Sequence, residues 1–446
     1  MKKHLCAIFF LLCMLSSYSQ DIRWEAQVSA TGMYAANNQN PFWFITNKNA
    51  QFGDQTTFSL LGESMGSYFL TENASLVAGA AFYYRNKVSN EFQRRDLYLE
   101  FKNTWLRATL GAKKDTVRAQ DLSATNKDFL RSGNIRPLPG LLFEAPDPIK
   151  LSKTFSVDWA IAHYQLNDDR YVDNVRVHYK RLGLITKLNS RNKITAQISH
   201  YAQWAGNSPD FGELPSDFSA FISVFLAKGG SSDIPTEAAN ALGNHLGSYL
   251  IDYEREMPSG KLSVYHQHPF EDGSGSGFNN FPDGVWGVHF QSKEPSFLSG
   301  FLYEYVHTKN QSANSRYSNP DSNFNNGLYR SGWSYENRII GIPFYIYDPN
   351  NVSSVDLPFV SNKIQLHHLG FTGWFRKLQW MLKTSYVVNY GTFREAFNPK
   401  REQWFNYLSV EYSSLKYGKL KAMLGLDLEK QGASQFGAGL TYQYLF

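Results

Sequence analysis

The chain closes on Gly439-Leu440-Thr441-Tyr442-Gln443-Tyr444-Leu445-Phe446, in which the side chains alternate with a period of two. Leu440, Tyr442, Tyr444 and Phe446 fall on one face of an extended strand, and Gly439, Thr441 and Gln443 on the other. The same pattern recurs upstream. Leu420, Ala422, Leu424, Leu426 and Leu428 form an aliphatic stripe opposite Lys419, Lys421, Met423, Asp427 and Glu429. Leu378, Trp380, Leu382, Tyr386, Val388 and Tyr390 oppose Gln379, Lys383, Ser385 and Asn389. A sheet with one face this apolar and the other this charged needs an apolar medium on one side and water on the other.

Composition narrows the choice of medium. Mean hydropathy is −0.40, and no apolar run beyond residue 20 is long enough for a membrane helix, so a helical bundle is excluded. Aromatics reach 16%, far above a disordered chain. A polar average with many aromatics is what a transmembrane antiparallel β-barrel requires: lipid-facing stripes, interfacial aromatic girdles and a polar lumen.

The N-terminus sets an expected compartment. Lys2 and Lys3 precede the apolar segment Leu5–Leu15, and Ser17 and Ser19 supply small residues before Gln20. Residues 1–19 therefore read as a secretory signal peptide. Cys6 and Cys13, the two cysteines, both fall inside it, so the expected mature chain has no disulfide, thiolate metal site or cysteine nucleophile. Losing Lys2 and Lys3 takes the net charge from +5 to +3, which gives no support to nucleic-acid binding. The C-terminal aromatic pattern ending in Phe446 resembles the signal read by barrel insertion machinery, placing the chain in the outer membrane of a Gram-negative-type envelope.

Residues 20–446 read as one barrel domain. Further strands are expected at Leu76–Tyr84, Leu97–Phe101, Trp105–Ala112, Val172–Tyr179, Leu182–Leu188, Lys193–Gln203, Leu246–Tyr253, Lys261–Gln267 and Phe297–Val306. At roughly 20–28 residues per strand with its connections, the chain holds roughly 16–20 strands, and an even count near 18 is expected. Long connections are expected near 115–153, 206–243, 267–282, 308–332 and 348–361. Helix-compatible stretches lie at Ala119–Leu130, Ser216–Leu226 and Pro235–Leu242.

An ordered set of motifs occupies the middle of the chain. It runs from Arg136-Pro137-Leu138-Pro139-Gly140 through Asp168-Asp169-Arg170-Tyr171-Val172, His200-Tyr201-Ala202-Gln203-Trp204 and Ser208-Pro209-Asp210-Phe211-Gly212. Asn244-His245-Leu246-Gly247-Ser248-Tyr249, Tyr265-His266-Gln267-His268-Pro269-Phe270-Glu271-Asp272-Gly273, Phe281-Pro282-Asp283-Gly284-Val285-Trp286, Gly332-Trp333-Ser334-Tyr335 and Gly341-Ile342-Pro343 follow. Each is weak alone; together, over about residues 95–345, the series resembles the Wzi-type capsule assembly proteins. That resemblance implies a barrel of about 18 strands, its lumen occluded by loops and a small helical element. It also implies a non-catalytic surface lectin that attaches or organises capsular or extracellular polysaccharide. The N-terminal quarter does not match the motifs.

Sugar recognition needs aromatic faces for C–H surfaces and amides, carboxylates and cations for hydroxyls. Candidate carbohydrate-binding residues are His245, His266, Gln267, His268, Glu271, Asp272 and Trp286; His200, Gln203 and Trp204 at a strand end; and Trp333. Trp333 belongs to an Asn-rich connection with Tyr317, Asn319, Asn323, Asn325, Tyr329 and Arg330. The alternative for every such aromatic is a place in the interfacial girdle. His266 and His268 share a strand face, whereas His367 and His368 point to opposite faces. No metal, cofactor or catalytic group is expected. Gly273-Ser274-Gly275-Ser276-Gly277 is not a nucleophile elbow, because Gly275 stands where the serine belongs. The other function classes open to such a chain are a channel (porin or polysaccharide-export pore) and a rim-located lipid or glycan hydrolase.

Overall fold

The computed structural model describes residues 22–229, 241–271, 273–313, 320–353, 357–430 and 432–446. The expected signal peptide and Asp272 lie outside them. Eighteen antiparallel strands close on themselves as a barrel. In chain order they are β1 (Ile22–Ala35), β2 (Phe58–Thr71), β3 (Ala74–Arg85), β4 (Phe92–Lys102), β5 (Arg107–Ala112), β6 (Gly140–Glu144, resumed at Ile149–Lys150), β7 (Phe155–Gln165), β8 (Arg176–Lys187) and β9 (Asn192–Trp204). The second half comprises β10 (Asn244–Glu256), β11 (Gly260–Phe270), β12 (Gly284–Ser292), β13 (Gly300–His307), β14 (Ile364–Phe375), β15 (Leu378–Gly391), β16 (Ala396–Ser414), β17 (Gly418–Glu429) and β18 (Gln435–Leu445). Every strand pairs with its chain neighbour, and β18 closes on β1 from Gln27↔Leu445 to Ala35↔Gly437. Closure removes the exposed edges that a membrane would not tolerate. The interruption of β6 falls at Pro146 and Pro148, which have no N–H to give a ladder.

The alternation holds in space. Leu420, Leu424, Leu426, Leu428, Tyr442 and Tyr444 form part of the exposed outer belt, while Asp427 turns inward to accept the Phe42 amide at 2.6 Å. Both barrel termini lie on one rim, where the turns between strands are short. All the long connections leave the other rim, which is therefore the extracellular one. No helix among the described residues is long and apolar enough to cross a membrane; the strands cross. The protein is a multi-pass outer-membrane barrel.

Some boundaries differ from expectation. Val172–Tyr179 and Leu182–Leu188 were split by Lys180-Arg181, yet they belong largely to the single strand β8, because Lys180 points outward where an aliphatic residue was expected. The expected connection 115–153 contains β6, and the long segment is residues 113–139. Those near 308–332 and 348–361 are parts of one connection, 308–363. A further long connection, 36–57, had no sequence signal. Within Ala119–Leu130 only a three-residue turn at Ala119–Asp121 forms, all three residues having left-handed φ. The Ser216–Leu226 stretch does form a helix, α2 (Phe218–Leu226), capped by the Asp217 carboxylate on the Ala220 amide. Most of Pro235–Leu242 lies outside the described residues.

The connections 36–57 and 113–139 and the described residues of 308–363 contribute a plug that fills the lumen. The one-turn helix α1 (Phe42–Ile45) buries Trp43 and Phe44 there. Phe42 stacks on Phe405 of the wall at 4.3 Å, Phe129 meets Phe324 at 5.6 Å, and Trp333 meets Tyr201 at 5.4 Å. These rings share one continuous core with lumen-facing wall residues such as Leu246, Val306, Leu366 and Val387. Buried polar groups of the wall find partners on the plug, as their desolvation demands. Glu304 accepts from the Ser123 hydroxyl and the Ala124 amide, each at 2.7 Å, and the His368 ring bonds Ser385 and the Leu122 carbonyl.

Candidate functional site

At the extracellular rim the 320s, Asn351, Leu357, Phe359, Val360 and the tight β15–β16 turn enclose a cleft of about 420 Å³. That volume lies in the range of small-ligand clefts. The turn supplies Phe393, Arg394 and Glu395, all exposed. Lys363 holds its ammonium 3.7 Å from the centre of the Phe393 ring. Asn325 forms the floor: its amide oxygen accepts the Phe359 amide at 3.1 Å, and its nitrogen donates to the Phe359 carbonyl at 3.0 Å. Arg330 forms the far wall. It donates to the Tyr171 hydroxyl at 2.7 Å, pairs with Asp210 at 2.9 Å and lies over the Tyr171 ring. Tyr171 in turn donates to Asp210 at 3.0 Å. The cleft thus joins an exposed aromatic face to both signs of charge and a fixed amide, the inventory that sugars require.

The sequence candidates do not converge on one place, because they sit on both faces of the wall. Gln203 and Gln267 point inward. Gln203 donates to the Gly332 carbonyl at 3.2 Å and accepts from Asn244 at 2.7 Å. Gln267 accepts the Phe129 amide at 2.8 Å. Trp333 is fully buried in the plug and donates to the Leu130 carbonyl at 2.6 Å. Glu271 accepts the Phe324 amide at 2.7 Å. His200, Trp204, His245, His266, His268 and Trp286 have the opposite parity and line the outer face of the barrel near the extracellular rim. There His200 bonds His245 at 2.9 Å, His266 stacks on Trp286 at 3.7 Å, and His268 bonds the Gly275 and Asp283 carbonyls. Trp204 lies beneath α2, which packs against the outside of the wall rather than in the lumen.

Of the Asn-rich set, Asn325 and Arg330 line the cleft, Asn323 and Tyr329 are buried, and Tyr317 and Asn319 lie outside the described residues. Phe393, Arg394 and Glu395 carried no motif. Their one signal is an aromatic residue followed by two opposite charges at the tip of an otherwise regular hairpin. Asp168-Asp169-Arg170 is structural at its ends: Arg170 pairs with Asp168 at 3.2 Å and donates to the Ser334 carbonyl at 3.1 Å. Gly273–Ser276 forms a single helical turn within the connection that joins the hairpin strands β11 and β12. Among the described residues, no group of three histidine, aspartate or glutamate side chains is placed to hold a metal ion.

Below the plug core the lumen keeps charged space. Two cavities of about 150 and 470 Å³ share the segment Lys113–Thr116; the first lies against β4–β9 and the second against β1–β4 and the end of β18. Arg131 pairs with Asp115 at 2.9 Å at the edge of the first. Burial there pushes the Asp128 carboxyl up from its ordinary value.

Neither a family model nor a curated protein matches the chain. Solved structures do. The chain is similar over 96% of its length, and over 86% of the other chain, to Wzi of Escherichia coli, described as an outer-membrane, carbohydrate-binding β-barrel involved in Group 1 capsule assembly; the identity is 13% and the TM-score 0.59. It is similar over the same share to OccK5 (OpdH) of Pseudomonas aeruginosa, over 98% of that chain, with 9% identity and a TM-score of 0.51. Both likenesses are of fold.

Proposed function

We propose that this outer-membrane barrel is a non-catalytic binding protein that attaches or organises polysaccharide at the cell surface through its extracellular cleft. The observation that carries the reading is the division of the molecule into a plugged interior and an open rim. The plug joins the wall in one apolar core, while Phe393, Arg394, Glu395 and Arg330 are left around an accessible cleft. A core of that kind is built to stay, not to conduct. The carbohydrate binding and capsule role described for the Escherichia coli barrel are extended to this chain as part of the proposal.

The test is a strain lacking the gene, complemented with wild type or with Phe393→Ala/Arg394→Ala/Glu395→Ala. Wild type restores cell-bound polysaccharide; the triple variant folds and inserts but leaves polymer in the medium, with total synthesis unchanged. Unchanged cell-bound polymer in the deletion strain refutes the reading. A channel is the second reading, favoured by the charged cavities along β1–β9.

A further inference from the structure

The outer face of β8–β11 departs from a lipid-facing wall in a way the polysaccharide reading does not use. Its outward side chains stand in register in rows. Leu184, Ala196, Ile251 and His266 make one row, and Leu182, Ile198, Tyr249 and His268 the next towards the extracellular rim. Together with Phe278 of the 271–283 connection they bound an apolar groove of about 400 Å³. One row further up stand Lys180 and His200, and above them His178 and His245, beneath α2.

This upper end is polar where lipid-facing strands should be apolar. An outward Lys at this depth is costly unless its charge has an anion or the aqueous interface within reach. Lys180 gives one of its three donors to the Phe225 carbonyl at the end of α2. His200 is 8% exposed. The His245 Nε2 bond to the Leu242 carbonyl makes that nitrogen a donor, so in its neutral form His245 Nδ1 accepts from His200 Nε2. The remaining ring atom, His200 Nδ1, is buried and has no partner. A buried, unsatisfied acceptor beside a cation, at the top of an apolar groove in the outer leaflet, calls for an amphiphile with hydroxyl and anionic groups.

We propose that the groove binds a phosphorylated, acylated glycolipid of the outer leaflet. One acyl chain lies along Leu182, Leu184, Ala196 and Ile198. The phosphate meets Lys180, and a sugar hydroxyl donates to His200 Nδ1. The occupant is lipid rather than protein because the groove opens into the bilayer and its charge complements an anionic headgroup.

Native mass spectrometry of the purified barrel, titrated with diphosphoryl lipid A, its enzymatically dephosphorylated form and phosphatidylethanolamine, tests this. Wild type retains the diphosphoryl form at about tenfold lower lipid concentration than either other lipid. Lys180→Gln and His200→Phe abolish that preference, and Ala196→Phe, which fills the floor, lowers retention of the acylated probes alike. The unboiled gel mobility of each variant reports an intact barrel, and Leu426→Phe, on the far side of the outer wall, controls for added bulk. Equal retention of phosphorylated and dephosphorylated lipid by wild type overturns the proposal. So does full retention by Ala196→Phe, or displacement of the lipid preference by millimolar inorganic phosphate alone.

Discussion

The left-handed turn Ala119-Gln120-Asp121 delivers a single carboxylate to two ammonium groups, Lys383 of the wall at 3.2 Å and Lys48 of the plug at 3.6 Å. Burial alone would raise the Asp121 carboxyl. Lys383 and then Lys48 overcome it and hold the pKa down at about 2, from an ordinary 3.8. A folded-state value below the unfolded one stabilises the fold fully above the ordinary value, and the contribution is lost as pH falls through the folded value. Wild type should therefore melt above Asp121→Asn at pH 5, and the gap in Tm should narrow from about pH 4 and close near pH 2. A gap independent of pH would show that Asp121 acts through shape and not charge. At this scale parity was the readable quantity. It placed His266 beside His268 and set His367 against His368; His367 faces outward to Tyr303, and His368 inward to Ser385. Parity also separates Gln203 from His200 and Gln267 from His266. A candidate site drawn from adjacent residues of a strand was bound to divide between lumen and lipid.

Strands are the best-determined elements because each face answers to a different solvent. In β17, Leu424 is outward and 47% exposed, paired with Leu408 and Ala438 on its neighbours, whereas Asp427 three residues on faces the plug. Leu424→Arg should cost roughly 2–4 kcal/mol if the residue sits near the bilayer midplane. Met423→Arg, one residue away but turned to the lumen, should cost less than half of that. Denaturant titration of folding into vesicles measures both; equal costs would mean that β17 does not have lipid on one face and lumen on the other. The same two-solvent logic explains where element boundaries were not readable. In β8 the outward residues run Arg176, His178, Lys180, Leu182 and Leu184, and the three polar ones hide the strand's upper half from any hydropathy pattern. The chain outside the wall shields the upper two: Arg176 donates to the Ser216 carbonyl at 3.1 Å and lies over Trp204, and His178 meets Phe221 of α2 edge-on. The plug segments carry no period at all. Their conformation is dictated by the wall around them, so α1 had no local signal and the helix-compatible composition of Ala119–Leu130 yields only the Ala119–Asp121 turn.

For the molecule as a whole, the question is whether the plug is a fixed core or a gate. The wall makes apolar contact with the plug over β7–β16, while the two charged cavities are lined by β1–β9, with Tyr164, Tyr179 and Tyr201 shared between core and cavity. If the plug is a core, it stays docked, and the charged space along β1–β9 does not join into a path. Wild-type protein in a planar bilayer should then be nearly silent. Replacing residues 116–131 with a short Gly-Ser linker removes Leu122, Phe129 and Leu130 from the core, together with the Ser123 and Ala124 bonds to Glu304. That variant should show a steady conductance, and the current should fall when Arg107, Lys113 or Arg181 of the charged lumen is neutralised. The cleft is lined by other segments, the 320s, Asn351 with Leu357–Val360, and the β15–β16 turn. The deletion should therefore open the lumen while leaving polysaccharide retention at least partly intact. A large, steady conductance from wild type would instead make the plug a gate and favour the channel reading, and loss of retention together with opening would show that cleft and plug act as one unit.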